Sequence, residues 1–254
     1  MEGFSLISAQ GSHGDAGGVL LPVGVAWALQ GCPSLAADLA AQGTGIPVEA
    51  AASQDSLEVR WMFQGPLTAA MRDWFARFTA KIEVRDDIYL LQPRPPGLSV
   101  KLRDGSRLEA KAFLGSPGTI DVPGGSGRLE LWRKWAFYGD AAPRTSTPSV
   151  ARWEVVRKER ISALFSLDVD GGPAGAGQLT GTGCAAELTE IGIDGDAWVS
   201  VGFEASGSPE LLRDALAHAV GLVFGVEPPA AMAFGMANSQ SYGQWLDRWS
   251  ADHC

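Results

Sequence analysis

The stretch Leu98–Lys111 reads LSVKLRDGSRLEAK, two short alternating segments on either side of Asp104-Gly105. Val100 and Leu102 alternate with Lys101 and Arg103, and Leu108 to Lys111 returns with the same period, so the stretch predicts a hairpin turning at Asp-Gly. Side chains alternate across a strand, which puts Lys101 and Arg103 on one face. In a single hairpin such a basic pair is an ordinary solvated face. Here charged pairs at spacing two recur: Glu58 and Arg60, Arg128 and Glu130, Lys158 and Arg160. Each lies among Val, Ile, Leu, Phe or Trp, residues that favour strands. A sheet that repeatedly turns charge to one face is most economically curled around a polar interior, because closure also removes the edge strands. The expected fold is therefore α+β, a mainly antiparallel β-barrel or tunnel of about eight strands with flanking helices.

Composition narrows the function classes. The 254 residues carry a formal net charge of −9, with 46% hydrophobic and 19% charged residues. An acidic balance argues against a general nucleic-acid binder and makes each local basic pair more informative. Cys32, Cys184 and Cys254 are odd in number and far apart. No zinc spacing is present, and a reducing cytoplasm is the expected compartment. His13, His218 and His253 have no Ser, Cys or Asp arrangement of the nucleophilic type beside them.

Along the chain, residues 1–53 are Ala- and Gly-rich and without a clean period, which predicts a poorly ordered or loosely helical extension. Their apolar run, Val19 to Leu29, is interrupted by Pro22 and Gly24 and too short to span a bilayer. No basic residue precedes it, so a signal peptide is not expected either. The folded domain is expected over 54–207, with a helix at Thr68–Phe78, loops at Gly115–Gly127 and Asp140–Ser149, and a hairpin turn at Asp194-Gly195. Residues 208–254 should add a helix over Pro209–Phe224, capped by Ser208 and stopped by Gly225. An aromatic tail follows, and its Tyr242, Trp245 and Trp249 should pack on the barrel exterior.

The order of these motifs resembles the CYTH superfamily, the triphosphate tunnel metalloenzymes. The family's opening E-x-E-x-K/R strand is similar to Ser56-x-Glu58-x-Arg60, its D-x-Y to Asp87-x-Tyr89, and its R-x-R to Lys101-x-Arg103. The following lysine is matched by Lys111, R-x-E-x-E by Arg128-x-Glu130-x-Trp132, K-x-R by Lys158-x-Arg160, and the closing E-x-E by Gly202-x-Glu204. The basic positions are kept, whereas three acidic ones are Ser56, Trp132 and Gly202.

The resemblance implies a small phosphorylated ligand, a tri- or diphosphate, held by Arg60, Lys101, Arg103, Lys111, Arg128, Lys158 and Arg160. It implies Mg²⁺ or Mn²⁺ held by Glu58, Glu130 and Glu204, which would also be the catalytic carboxylates, with Glu187, Glu190 and Asp168 as replacements for the missing acids. Phosphate needs cations and N–H donors, and a divalent ion needs hard oxygens, so the anion cradle is complete while a two-metal site is short of ligands. Seven bases turned inward would repel one another by roughly several kcal/mol unless acids or an anion compensate. Three functions follow as expectations. One is a metal-dependent phosphohydrolase, or a cyclase or lyase acting on an organic diphosphate such as a prenyl diphosphate. The others are a non-catalytic phosphate-binding module and a structural partner domain. None involves nucleic acid or a membrane.

Overall fold

The computed structural model describes residues 4–8, 18–22, 53–78, 81–92, 97–104, 107–138, 152–167, 173–174 and 181–253. Within the amino-terminal extension, β1 (Phe4–Ser8) and β2 (Gly18–Pro22) form a two-stranded antiparallel sheet where the sequence predicted no regular strand. The rest of that extension, and the loop expected at Asp140–Ser149, lie outside the described residues.

Eight strands close into an antiparallel barrel. In chain order they are β3 (Gln54–Gln64), β4 (Lys81–Gln92), β5 (Leu98–Arg103), β6 (Arg107–Val122), β7 (Gly125–Tyr138), β8 (Arg152–Ser166), β10 (Gly183–Ile193) and β11 (Asp196–Ser206). The spatial order β10-β11-β3-β7-β6-β5-β4-β8 is closed by pairing of β8 with β10, and the short β9 (Pro173–Ala174) adds to β8. Asp104 and Asp194 take positive φ, 51° and 45°, at the two Asp-Gly turns. At the second, Gly195 follows at 86°, the paired positive dihedrals that suit the twist of a tight hairpin. The stretch Gly115–Gly127, expected to be a loop, is instead the far end of the long β6–β7 hairpin. Register shifts around Gly115 and Gly118 absorb the irregular sequence.

Alternation sorts each strand into two faces. Leu57, Val59, Trp61 and Phe63 of β3 point outward and join outward residues of β8, β10 and β11, including Phe165, Leu188 and Phe203, in the main apolar cluster. That face is covered by α1 (Ala69–Ala76), a 3₁₀ turn at Pro209–Leu211 and α2 (Leu212–Val223). Thr68 caps α1 by accepting from the Met71 N–H. Ser208 does not cap α2; its hydroxyl donates to Glu210, and the 3₁₀ turn starts the helix. Phe224 is the C-cap of α2, and Gly225 follows it where the helix was expected to stop. On β4 and β8 the outer face leaves Ile82, Val84 and Val155 exposed.

The aromatic tail closes one end of the barrel and does not pack on its exterior. β7 pairs with β3 only as far as Glu58, and the segment 238–240 takes its place beside Arg60 to Met62. This delivers Ser241 to the barrel rim, where it opens α3 (Tyr242–Asp252) with a capping box to Gln244. Inward-facing Met62, Leu91, Val156, Ile191 and Ile193 need an apolar cover, and Trp245, Leu246 and Trp249 supply it. These strand residues share parity with the inward charges, but period two carries no information on what plugs the barrel. Among the described residues no helix is long and apolar enough to cross a membrane.

Candidate functional site

The inward face encloses a cavity of roughly 870 Å³, counting its open mouth, with Tyr242 of α3 at the closed end. Eight cationic side chains line it against five carboxylates. Arg60, Lys101, Arg103, Lys111, Lys158 and Arg160, all expected at a common site, share this cavity, as do Glu58, Glu130, Glu187 and Glu204. Exposure grades along it. Lys158 is 3% exposed and Arg60 9%, against 20% for Arg103, 24% for Lys111 and 28% for Lys134.

Near the closed end four cations converge on Asp87, which is fully buried. The β4–β5 register sets Asp87 opposite Arg103 and Tyr89 opposite Lys101, while β4–β8 sets Arg85 opposite Lys158. Lys158 Nζ donates to Asp87 Oδ2 at 2.9 Å and to the Tyr89 hydroxyl at 2.7 Å, and Lys101 Nζ donates to the same Oδ2 at 3.1 Å. Arg85 Nε and Arg103 Nε approach Oδ1 at 3.3 and 3.6 Å. Lys158 Nζ lies 3.9 Å from the ring centroid of Tyr242 and 4.6 Å from that of Tyr89, so aromatic faces hold the charge where water is excluded. Burial alone would raise the Asp87 carboxyl, but Lys158, Lys101 and Arg85 hold it far below the usual range. Burial, then the charge of Lys158, pushes Lys101 down to about 7. Burial pushes Lys158 down to about 8, with Asp87 opposing.

Toward the open end the sign reverses. Glu204, Glu58 and Glu130 are direct cross-strand neighbours on β11, β3 and β7, three carboxylates in a row on one face. Like charges so placed destabilise a sheet unless compensated. Lys111 Nζ compensates, donating to Glu58 Oε1 at 2.6 Å and to Glu204 Oε2 at 3.3 Å, and Lys134 Nζ stands 3.7 Å from Glu204 Oε1. Ser56 donates to Glu58 at 2.6 Å, and the Trp132 indole N–H donates to Glu130 Oε2 at 3.0 Å. Glu130 Oε1 is buried without a hydrogen-bond partner, and burial pushes that carboxyl up. Glu204 is held down to about 2 by Lys111 and Lys134, which overcome its burial.

Glu187 links the two regions. Its Oε2 accepts from Arg60 at 3.1 Å and its Oε1 from Arg160 at 2.5 Å, and Arg160 continues to Glu83. Arg60 also donates to Ser200 at 3.0 Å and stacks over Tyr242 at 4.6 Å. The guanidinium lies flat over Gly202, where a Cβ would fall 2.5 Å from its Cζ.

Two expected residues are elsewhere. Arg128 is exposed and does not line the cavity. It shares the parity of Glu130 but stands where the strand has run beyond the enclosed part of the barrel. Glu190 has outward parity; it pairs with Arg72 at 3.2 Å and accepts from the Leu67 N–H. Asp168 lies outside the described residues. Sequence reasoning passed over Arg85, Glu109 and Lys134, although each continues a period-two series already recognised. It met Asp87 only as part of a strand motif. Tyr242 had no signal of its own.

No protein-family model and no curated protein matches the chain. Among solved structures it is similar to a conserved hypothetical protein from Pyrococcus furiosus, at 16% identity and a TM-score of 0.39. It is also similar to the PH1012 protein from Pyrococcus horikoshii OT3, at 13% identity and a TM-score of 0.42. Each comparison covers 74% of this chain and 98% of the other. Likenesses this distant carry no argument about activity.

Proposed function

We propose that the barrel binds the phosphate groups of a small di- or triphosphate, entering from the end opposite α3 with its terminal phosphate toward Lys101 and Lys158. The supporting observation is the surplus of eight cationic over five carboxylate side chains in an enclosed cavity of a chain whose net charge is −9. Two further acids pair with these cations: Asp87 is shared by Lys101, Lys158, Arg85 and Arg103, and Glu83 pairs with Arg85 and Arg160, so a net positive charge remains but is small. Charge-assisted N–H donors in a site of low dielectric are what phosphate oxygens need. The CYTH-like order of motifs supports the same ligand class.

A second, catalytic reading rests on Glu130, whose buried Oε1 has no partner inside the cavity. A carboxyl placed there could exchange a proton with water or with a leaving phosphate oxygen, as phosphohydrolase or diphosphate lyase chemistry requires. Mg²⁺ or Mn²⁺, which the CYTH resemblance implies, would supply charge at the phosphate. The donor set does not fit such an ion as it stands. Among the described residues no three His, Cys, Asp or Glu groups are arranged to hold a metal, and Lys111 lies between Glu58 and Glu204.

The test is a thermal-shift and calorimetry panel of tripolyphosphate, ATP, thiamine diphosphate and a prenyl diphosphate, with phosphate release measured in parallel. A ligand at a hundredfold its dissociation constant should stabilise the fold by about 2.7 kcal/mol. If no phosphorylated compound shifts the melt, the binding proposal is wrong. Ligand-induced stabilisation without product release leaves the non-catalytic module.

A further inference from the structure

We infer that Lys111 is the resident cation of the Glu204–Glu58–Glu130 row, so that this barrel recognises phosphate without a divalent metal. The inference rests on the phosphate-binding reading for its ligand, and on the geometry of the row for its claim about metals.

The row lies where three adjacent strands place carboxylates side by side, the arrangement that would otherwise attract a hard cation. An ammonium already bridges two of its members, at 2.6 and 3.3 Å. A second lysine, Lys134, is the direct cross-strand neighbour of Lys111 and reaches Glu204 as well. One inward position two residues from each acid is neutral, Ser56 beside Glu58, Trp132 beside Glu130 and Gly202 beside Glu204. Ser56 donates to Glu58, and Trp132 donates to Glu130. Gly202 leaves room for the Arg60 guanidinium, which brings a further positive charge beside the row. Magnesium demands about six oxygen ligands at about 2.0–2.1 Å in near-octahedral geometry. To collect Glu58 and Glu204 it would have to expel Lys111 and then bear the repulsion of Lys111, Lys134 and Arg60 in a partly enclosed site. An ammonium on a flexible stem, by contrast, balances the row and still presents donors to an incoming phosphate.

The test titrates the full-length protein with Mn²⁺ and Mg²⁺ alone, then with tripolyphosphate in EDTA and in excess Mg²⁺, the latter computed against free anion. The wild type should show no melting shift with either metal at millimolar concentration. Its tripolyphosphate dissociation constant should agree within about threefold between EDTA and Mg²⁺, a difference of less than about 0.7 kcal/mol. In Lys111→Gln, Glu58 and Glu204 lose their cation, so Mn²⁺ should now raise the melting temperature while tripolyphosphate binding in EDTA weakens about tenfold. A wild-type melting shift with metal alone, or tripolyphosphate binding that vanishes in EDTA, overturns the inference, and so does a folded Lys111→Gln that gains no response to Mn²⁺. Because the wild-type titrations need no variant, a Lys111→Gln that fails to fold leaves the claim decided by them. If tripolyphosphate binds under neither condition, the phosphate reading falls, while the metal titrations still judge the role of Lys111.

Discussion

At the closed end of the barrel Lys101, Lys158, Arg85 and Arg103 share the buried Asp87, with Glu109 and Glu83 as secondary partners of three of them, whereas toward the open end Lys111 and Lys134 serve two of three carboxylates in a row. Both clusters arise from the same device, charged residues at period two on inward strand faces. They differ in what surrounds them. Asp87, Lys158 and Arg85 at the centre of the first cluster are sealed from water, with α3 and the two tyrosines covering Lys158, so these charges depend on one another, while Arg103 reaches toward the mouth. The Glu row is partly wet, with Glu58 16% and Glu204 25% exposed, and its members repel across the strands. A shared cavity thus contains a site where losing the acid should be ruinous and one where losing an acid should be mild.

The sharpest break in this comparison is a pair of substitutions. Asp87→Asn leaves buried cations without their common partner and should cost about 3–5 kcal/mol of unfolding free energy, as removal of one member of a buried charge cluster does. Glu204→Gln, at the wetter end and beside another carboxylate, should cost about 1 kcal/mol or less. Urea denaturation of both variants without ligand reads the difference. Equal losses would mean that the two clusters are not energetically distinct. Tripolyphosphate should in addition rescue Asp87→Asn more than it stabilises the wild type, since it supplies the missing negative charge.

Next in size is Gly202→Ala. The added methyl would meet the Arg60 guanidinium at 2.5 Å and force it off Glu187, Ser200 and Tyr242. Overpacking of this kind costs about 1–3 kcal/mol. A neutral result in the same denaturation assay would show that Arg60 has another place to lie, and that Gly202 is no constraint on the cavity.

Much of this was legible in the chain. Lys101, Arg103, Lys158 and Arg160 were assigned to a common interior because strand parity is strict, and closure followed from the number of strands turning charge inward. The misplacements have separate physical causes. Parity says which face a residue is on but not how far along the barrel it sits, and so Arg128 was placed in a cavity that its strand has already left. Glu190 was proposed as a ligand for its charge alone, against the parity of its own strand. The plug could not be read from period at all, because α3 is amphipathic in the same way whether it lies across a barrel end or along its side. Lys111 was legible as a cation, but its seat between Glu58 and Glu204 depends on register between β6, β7, β3 and β11, which no single stretch encodes.

A third pair of variants sharpens the difference between cavity and surface. Lys101→Ala removes a charge-assisted donor from the closed end and should weaken tripolyphosphate binding by about 1.5–3 kcal/mol, or roughly 10- to 150-fold. Arg128→Ala, exposed and outside the cavity, should leave the dissociation constant unchanged within error. Comparable losses from both would point to a diffuse electrostatic attraction over the surface, and the closed end would lose its special status.

The smallest expected effect is on pH dependence, and it should carry opposite signs for stability and for binding. Lys101 and Lys158 face Asp87, Tyr89 and Arg85 from β4, Arg103 from β5, Glu109 from β6, Arg60 from β3 and Tyr242 from α3. Burial first, and neighbouring cations next, lower them to about 7 and about 8 from the 10.5 of an exposed lysine. Between these values and 10.5 the unfolded chain holds protons that the folded chain has released, so ligand-free stability contributed by these groups rises with pH across that window and is lost as pH falls from 10.5 toward 8 and 7. Lys111 is shifted the other way, upward, by Glu204 and Glu58 despite its burial, and so titrates above the window. Phosphate binding needs the charged ammonium forms. The protein's own contribution to tripolyphosphate affinity should therefore fall as pH rises from 7 to 9, measured against the anion's own loss of its last proton in that range. Binding at pH 8 should take up protons, which calorimetry in buffers of different ionisation enthalpy measures directly. In Lys101→Ala the uptake should shrink, whereas Lys134→Ala at the wet end should retain it. A protein contribution to affinity that is flat from pH 7 to 9, with no proton uptake, would place the anion away from Asp87 and at the open end of the cavity.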